Sequence, residues 1–530
     1  MGAGKMGFKK SGFYQSKGKL RFCILKPAAF FLLLLSLFPV AYAQHEHPAP
    51  EKLGAVSFPI SCSAQVQGSF NRAMALLHSF TYSPAVAAFA DVASHDPACA
   101  MAHWGIAMSY YHQLWAPPLP GDAIQKGRAE IEQAQKIGTA NAREKELLAA
   151  ASFIFADDGG TYPAHAAKYR DAMSAVAKHN PDDTEVQIFY ALALLATASP
   201  QDKTHQNQKA AVQILEPLYR KYPQHPGLAH YLIHADDNAE LAQQGLSAAQ
   251  AYAGIAPSAP HALHMPSHIF TRLGMWKDSA SSNQAARMAA HQQGDIGEEL
   301  HAMDYLVYAF LQEGRDTETA AILKELQGMG QSLGTDFKAS YSATAMPARY
   351  AVERKQWTDA TRCVASAGAP PHVSALAAWA RALGYAHTGN LPAARTELQA
   401  LEHMTEELKA AGNQYWAVQV HIQAEEATAW IAFSEHKPEE ALALLKKAAD
   451  EEDAVEKLPV TPGPVVPARE QLADLLAQSG HPEAALGEYE KALQNAPGRR
   501  GALRGALESA RSAGAKSKST YYEAAFQNPN

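Results

Sequence analysis

The chain has 530 residues, 47% apolar and 19% charged, which excludes both a single small core and a disordered polymer and leaves several domains or a long repeat array. Alanine is abundant and Val/Ile runs are few, so helix is favoured. Lys5, Lys9, Lys10, Lys17, Lys19, Arg21 and Lys26 are concentrated at the N-terminus, and removing these seven cations takes the formal charge from −7 to −14. An acidic body of that kind argues against nucleic acid as a partner.

In chain order, residues 1–43 read as a secretory signal peptide. The basic segment is followed by an apolar stretch from Pro27 to Val40 and by Ala41-Tyr42-Ala43, a small-residue cleavage pattern. A periplasmic or secreted location follows, with no membrane span after cleavage, because no later segment is apolar enough to cross one; an uncleaved N-terminal anchor is the alternative. Residues 44–62 are Pro-rich and polar and read as a flexible lead-in. From Ser63 the pattern turns helical, with Phe70, Met74 and Leu77 spaced to line one helix face. Trp115-Ala-Pro-Pro-Leu-Pro-Gly121 reads as a rigid loop. Residues 122–157 read as two helices, the second ended by Asp157-Asp-Gly-Gly160.

The most informative stretch runs from His225 to Tyr308. His230 and His264 are 34 residues apart, as are His234 and His268, and the prolines before them, Pro223 and Pro257, keep the same spacing. A pair spaced i, i+4 lies on one helix face. Its recurrence at 34 residues matches the length of a helix–turn–helix repeat. Pro266 falls past the first turn of its helix, so it predicts a kink or a later helix start.

Gly480-His-Pro-Glu-Ala-Ala485-Leu-Gly-Glu-Tyr489-Glu-Lys-Ala492, ending at Pro497, carries a small–aromatic–small–proline pattern. Looser copies include Ala85/Phe89/Pro97, Ala211/Leu218/Pro223, Gly274 with Trp276, Trp357-Thr-Asp-Ala360, Gly389 with Ala394 and Pro438-Glu-Glu-Ala441. On these motifs the chain resembles the tetratricopeptide repeat (TPR) family over most of 63–515. It also resembles a group of exported bacterial TPR proteins with HPGLAHYLIH-like and PHALHMPSHIF-like segments. The resemblance implies an all-α solenoid of helix–turn–helix units coiled into a right-handed superhelix, with the first helix of each unit lining a concave face. Residues 63–457 then form the array, 458–467 a Pro-rich connector that is either a linker or a strap in the groove, 468–515 a C-terminal TPR, and 516–530 a tail. In such an array Cys62 and Cys99 sit just before neighbouring helices. A disulfide between them is expected, with Cys363 free. The alternative is a pair of buried thiols.

Projecting the family's groove-facing positions onto this chain places His225, His230, His234, His261, His264, His268, His301, Asp304, Tyr308 and Arg349 on the concave face. Three readings stay open. The imidazoles form a hydrogen-bonded network stiffening the array; or the groove binds a peptide, protein segment or small ligand; or His230, His234, His264 and His268 hold a transition metal (Zn, Cu, Ni or Fe), with Asp304 as base or supporting group. The sequence identifies no catalytic acid–base pair by spacing, and a metal-dependent hydrolase is the enzymatic form of the third reading.

Overall fold

The computed structural model describes residues 51–112, 114, 121–330 and 337–527. The N-terminal signal segment and most of the Trp115–Gly121 loop lie outside these residues. Helices alternate along the chain as antiparallel pairs, and no strand occurs among the described residues. The architecture is a TPR-type helix–turn–helix solenoid.

Local chemistry fixes the helix ends. The side chains of Asn141, Asp183 and Asp295 accept backbone N–H groups of Glu144, Val186 and Glu298, satisfying donors that the first helical turn leaves unpaired. Proline opens the Pro226–Asp236, Pro371–His387, Pro438–Asp453 and Pro482–Asn495 helices, where its missing N–H costs nothing. The repeat alanines Ala85, Ala211, Ala360, Ala394, Ala441 and Ala485 are wholly buried, so a larger side chain there would force the paired helices apart.

Two segments differ from the sequence expectation. The lead-in is packed rather than flexible from Glu51 on: Phe58 is buried against Phe70 and Trp104, and the Ala55 N–H donates to the Gln224 carbonyl at 2.8 Å. The C-terminal tail is a helix, Lys516–Gln527, held by buried Tyr522, whose hydroxyl donates to Glu490 at 3.1 Å. Cys62 and Cys99 meet with their Cα atoms 5.0 Å apart and sulfurs at bonding distance, while Cys363 is free and buried.

The Pro-rich connector is a strap. The Tyr305 hydroxyl bridges the carbonyls of Pro459 and Thr461 at 3.2 and 3.0 Å, and Arg349 donates to the Pro464 carbonyl at 3.2 Å. Just before it, Lys457 reaches Asp237 at 2.7 Å and the Glu456 N–H donates to the Pro200 carbonyl at 2.8 Å. Because prolines cannot donate and few carbonyls are paired internally, the strap takes its hydrogen bonds from the helices it crosses. The last hairpins also return to the middle of the chain. Trp276 donates to the Gly498 carbonyl at 3.0 Å, and Arg499 is buried between Tyr308, Glu353 and Glu470. Gly274 serves this junction: with φ at +70°, any Cβ there would lie 2.5 Å from the Pro497 carbonyl oxygen.

Candidate metal centre

Six histidines from three successive first helices converge. His230 and His234 lie on Pro226–Asp236, His301 lies on Ile296–Glu313, and His261, His264 and His268 lie on a helix broken into Pro260–His264 and Pro266–Arg272. The break is at Met265, and Pro266 opens the second piece, where its missing donor is harmless. Despite the break, His264 and His268 keep their i, i+4 approach, with Nε2 atoms 3.0 Å apart. The Nε2 atoms of His230 and His234 are 3.1 Å apart.

The cluster does not line an open groove. All but His234 are at most 2% exposed: Tyr305 packs on His264, His268 and His301, and Phe80 packs on His230 and His261. Nor do the four repeated histidines form one site. Their ligating atoms fall into two triads, His230/His234/His261 and His264/His268/His301, each with nitrogens within 4.8 Å of one another.

Neighbours fix the tautomers of several rings. Asn283 donates its amide N–H to the Ser279 carbonyl at 2.8 Å, which orients its oxygen towards His264 Nδ1 at 2.7 Å. His264 therefore carries its proton on Nδ1 and presents a lone pair at Nε2. His268 donates Nδ1–H to Asp237 at 2.9 Å and likewise presents Nε2 as a lone pair. Burial alone would raise the Asp237 carboxyl, but Lys457 and Arg272 outweigh it and hold Asp237 well below its usual range, as a carboxylate. Two lone pairs thus face each other at 3.0 Å. Only a cation or an added proton between them makes that contact favourable, and burial opposes the proton: His264 is pushed well below its ordinary range and His268 down to about 4.

In the other triad, His230 donates Nδ1–H to the His78 carbonyl at 2.6 Å, which leaves its Nε2 towards His234. His261 Nδ1 meets Glu298 at 3.4 Å, and Glu298 is paired in turn with Lys338. His234 Nδ1 has no hydrogen-bond partner and borders a cavity of about 460 Å³ lined also by Tyr162, Trp416 and Lys457. A second cavity, of about 350 Å³ and walled by Tyr341, Trp379, Tyr415 and Trp416, shares Glu456 and Lys457 with the first.

The remaining expected site residues have other partners. His225 and His78 donate to the two oxygens of buried Glu185 at 3.0 and 2.9 Å, and His78 Nδ1 meets the Tyr231 hydroxyl at 3.0 Å. This third triad is largely accounted for by hydrogen bonds and supports the centre through the His78 carbonyl. Asp304 is bonded to Arg349 at 3.3 Å rather than to an imidazole, so it is not placed as a base. Tyr308 accepts from Arg499 at 2.9 Å. Residues that sequence reasoning missed matter more. Tyr305 packs its ring 4.7 Å from His264 and 5.1 Å from His268; its position one turn after His301 was the available signal. Asn283, Glu298 and Lys457 lie on other elements and carry no periodic mark.

No protein-family model and no curated protein matches the chain. Among solved structures it is similar to a human IFIT1 dimer with PPP-AAAA (TM-score 0.40, 13% identity, 81% of this chain and 90% of that one). It is also similar to a human IFIT1 dimer with m7Gppp-AAAA (TM-score 0.36) and a monomeric IFIT1 mutant with Gppp-AAAA (TM-score 0.34), both 12% identical over the same shares of the chains. Those neighbours carry oligonucleotides, and the exclusion of nucleic acid drawn above from net charge is withdrawn. The physical reason is that a net charge summed over the whole chain does not set the field at any one surface.

Proposed function

We propose that this protein is a TPR-type binding scaffold whose buried histidine cluster holds a transition metal. The observation that carries the reading is the His264–His268 contact, where both Nδ1 atoms are committed as donors and both Nε2 lone pairs point at one another. Neutral imidazoles with carboxylate and amide partners on their far nitrogens are the usual surroundings of Zn, Cu, Ni or Fe ligands. The His78–Glu185–His225 group fits the purely structural reading of histidine in this fold, and the His264–His268 contact does not. The signal segment and the Cys62–Cys99 approach support an exported protein that meets an oxidising compartment. A cavity lined by His234 lies beside the centre.

A peptide-binding reading has one observation in its favour: the array already holds an extended segment, its own strap, through side-chain donors from several helices. A peptide in that groove would have to displace the strap. Metal analysis of the purified protein after loading and desalting separates the readings. Retained metal of at least one ion per chain, lost in His264→Ala/His268→Ala, is expected. Metal-free protein after loading, or retention unchanged by that double substitution, would overturn the metal reading.

A further inference from the structure

We infer that the centre is dinuclear, holding one ion in His230/His234/His261 and a second in His264/His268/His301. The inference rests on the metal reading above and says what that site is built to hold. For metal–nitrogen bonds of about 2.0–2.1 Å, two cis ligands on one ion have their nitrogens about 2.8–3.4 Å apart. The His230–His234 pair, at 3.1 Å, and the His264–His268 pair, at 3.0 Å, each match that bite. Each pair gains one further imidazole, His261 or His301, and neither gains the other pair. Three nitrogen ligands leave an ion with an open position.

The halves share a wall. His261 and His264 are on the same short helix with ring centroids 6.0 Å apart, and His234 and His268 face each other across the halves at 6.1 Å. Ions seated in the two triads would therefore be neighbours.

The surroundings favour copper among the imidazole-binding metals. No carboxylate belongs to either triad, so the site supplies nitrogen donors and no anionic ligand. The nearby anions are already balanced, Asp237 by Arg272 and Lys457 and Glu298 by Lys338. A pair of monovalent ions places the least uncompensated charge in so buried a site, and imidazole is a ligand that suits copper.

The test loads the purified full chain with Cu(I) under anaerobic conditions, and separately with Zn(II), and counts ions per chain after desalting. The inference expects two ions in the wild type, and one in His264→Ala/His301→Ala and in His230→Ala/His234→Ala. After oxidation, the wild type should show a copper resonance attenuated by coupling, and each half-site variant the full signal of one isolated Cu(II). A His421→Ala control removes the half-exposed His421/Glu425/Glu451 group and should leave the count at two. One ion in the wild type would overturn the dinuclear inference and leave the metal reading standing, whereas none would overturn both. The wild-type count decides between one and two even if a variant fails to fold.

Discussion

At the scale of single residues, the behaviour of the cluster depends on groups that never touch a bound ion. Asn283 fixes the His264 tautomer because its own amide is committed to Ser279. Asn283→Ala should weaken metal binding about 10–100-fold in a chelator competition, the usual cost of losing such a partner; unchanged affinity would mean that the tautomer is set elsewhere. Far from the histidines, burial raises Glu452 to about 8 and Glu426 well above the carboxylate range, each worsened by nearby acidic charge. Between the ordinary glutamate value of 4.5 and about 8 the folded chain keeps a Glu452 proton that the unfolded chain has released, so stability falls as pH rises through that window. Glu452→Gln keeps an oxygen for the Ala468 N–H and cannot ionise. Its melting temperature should exceed the wild type by about 2 °C or more at pH 8 and match it near pH 4.5; parallel curves at both values would contradict this.

At the scale of elements, the broken helix and the strap determine what the cluster is. The 34-residue recurrence made both histidine pairs and Pro266 legible in the sequence, since periodicity reports which residues share a helix face. It did not report that the pairs belong to separate triads, because ring direction depends on where Pro266 restarts the helix and on partners such as Asp237. The cover was equally hidden: 458–467 is Pro-rich whether it links or straps, and the difference lies in the Tyr305 and Arg349 side chains that receive it. Tyr305→Phe removes the hydroxyl that meets the Pro459 and Thr461 carbonyls, at a cost of about 1–3 kcal/mol in strap attachment. Limited proteolysis should then cut within 458–467 several-fold faster, without a comparable change at the Pro438–Asp453 helix. Equal rates within 458–467 would show that the strap is held without the Tyr305 hydroxyl.

At the scale of the whole molecule, the repeat resemblance captured the architecture because helix packing at buried alanines such as Ala85, Ala441 and Ala485 leaves a mark in sequence. Long-range closure leaves none: Arg499 meets Tyr308, and Lys457 meets Asp237, across about two hundred residues. The lead-in and the C-terminal helix were misread for a related reason, since polar composition hid their anchors Phe58 and Tyr522. Tying Cys62 to Cys99 closes a loop of 37 residues, which in the chain-entropy model contributes about 3–4 kcal/mol. Reductant should lower the melting temperature by several degrees, and Cys62→Ser/Cys99→Ser should abolish that response; a reductant effect persisting in the double variant would place its origin elsewhere. Whether the buried imidazoles bind metal is read by X-ray absorption of the zinc-loaded full chain. A nitrogen shell at about 2.0–2.1 Å is expected, with imidazole outer-shell scattering that disappears in His264→Ala/His301→Ala combined with His230→Ala/His234→Ala. An oxygen-dominated shell, or an imidazole signal that survives all four substitutions, would contradict it.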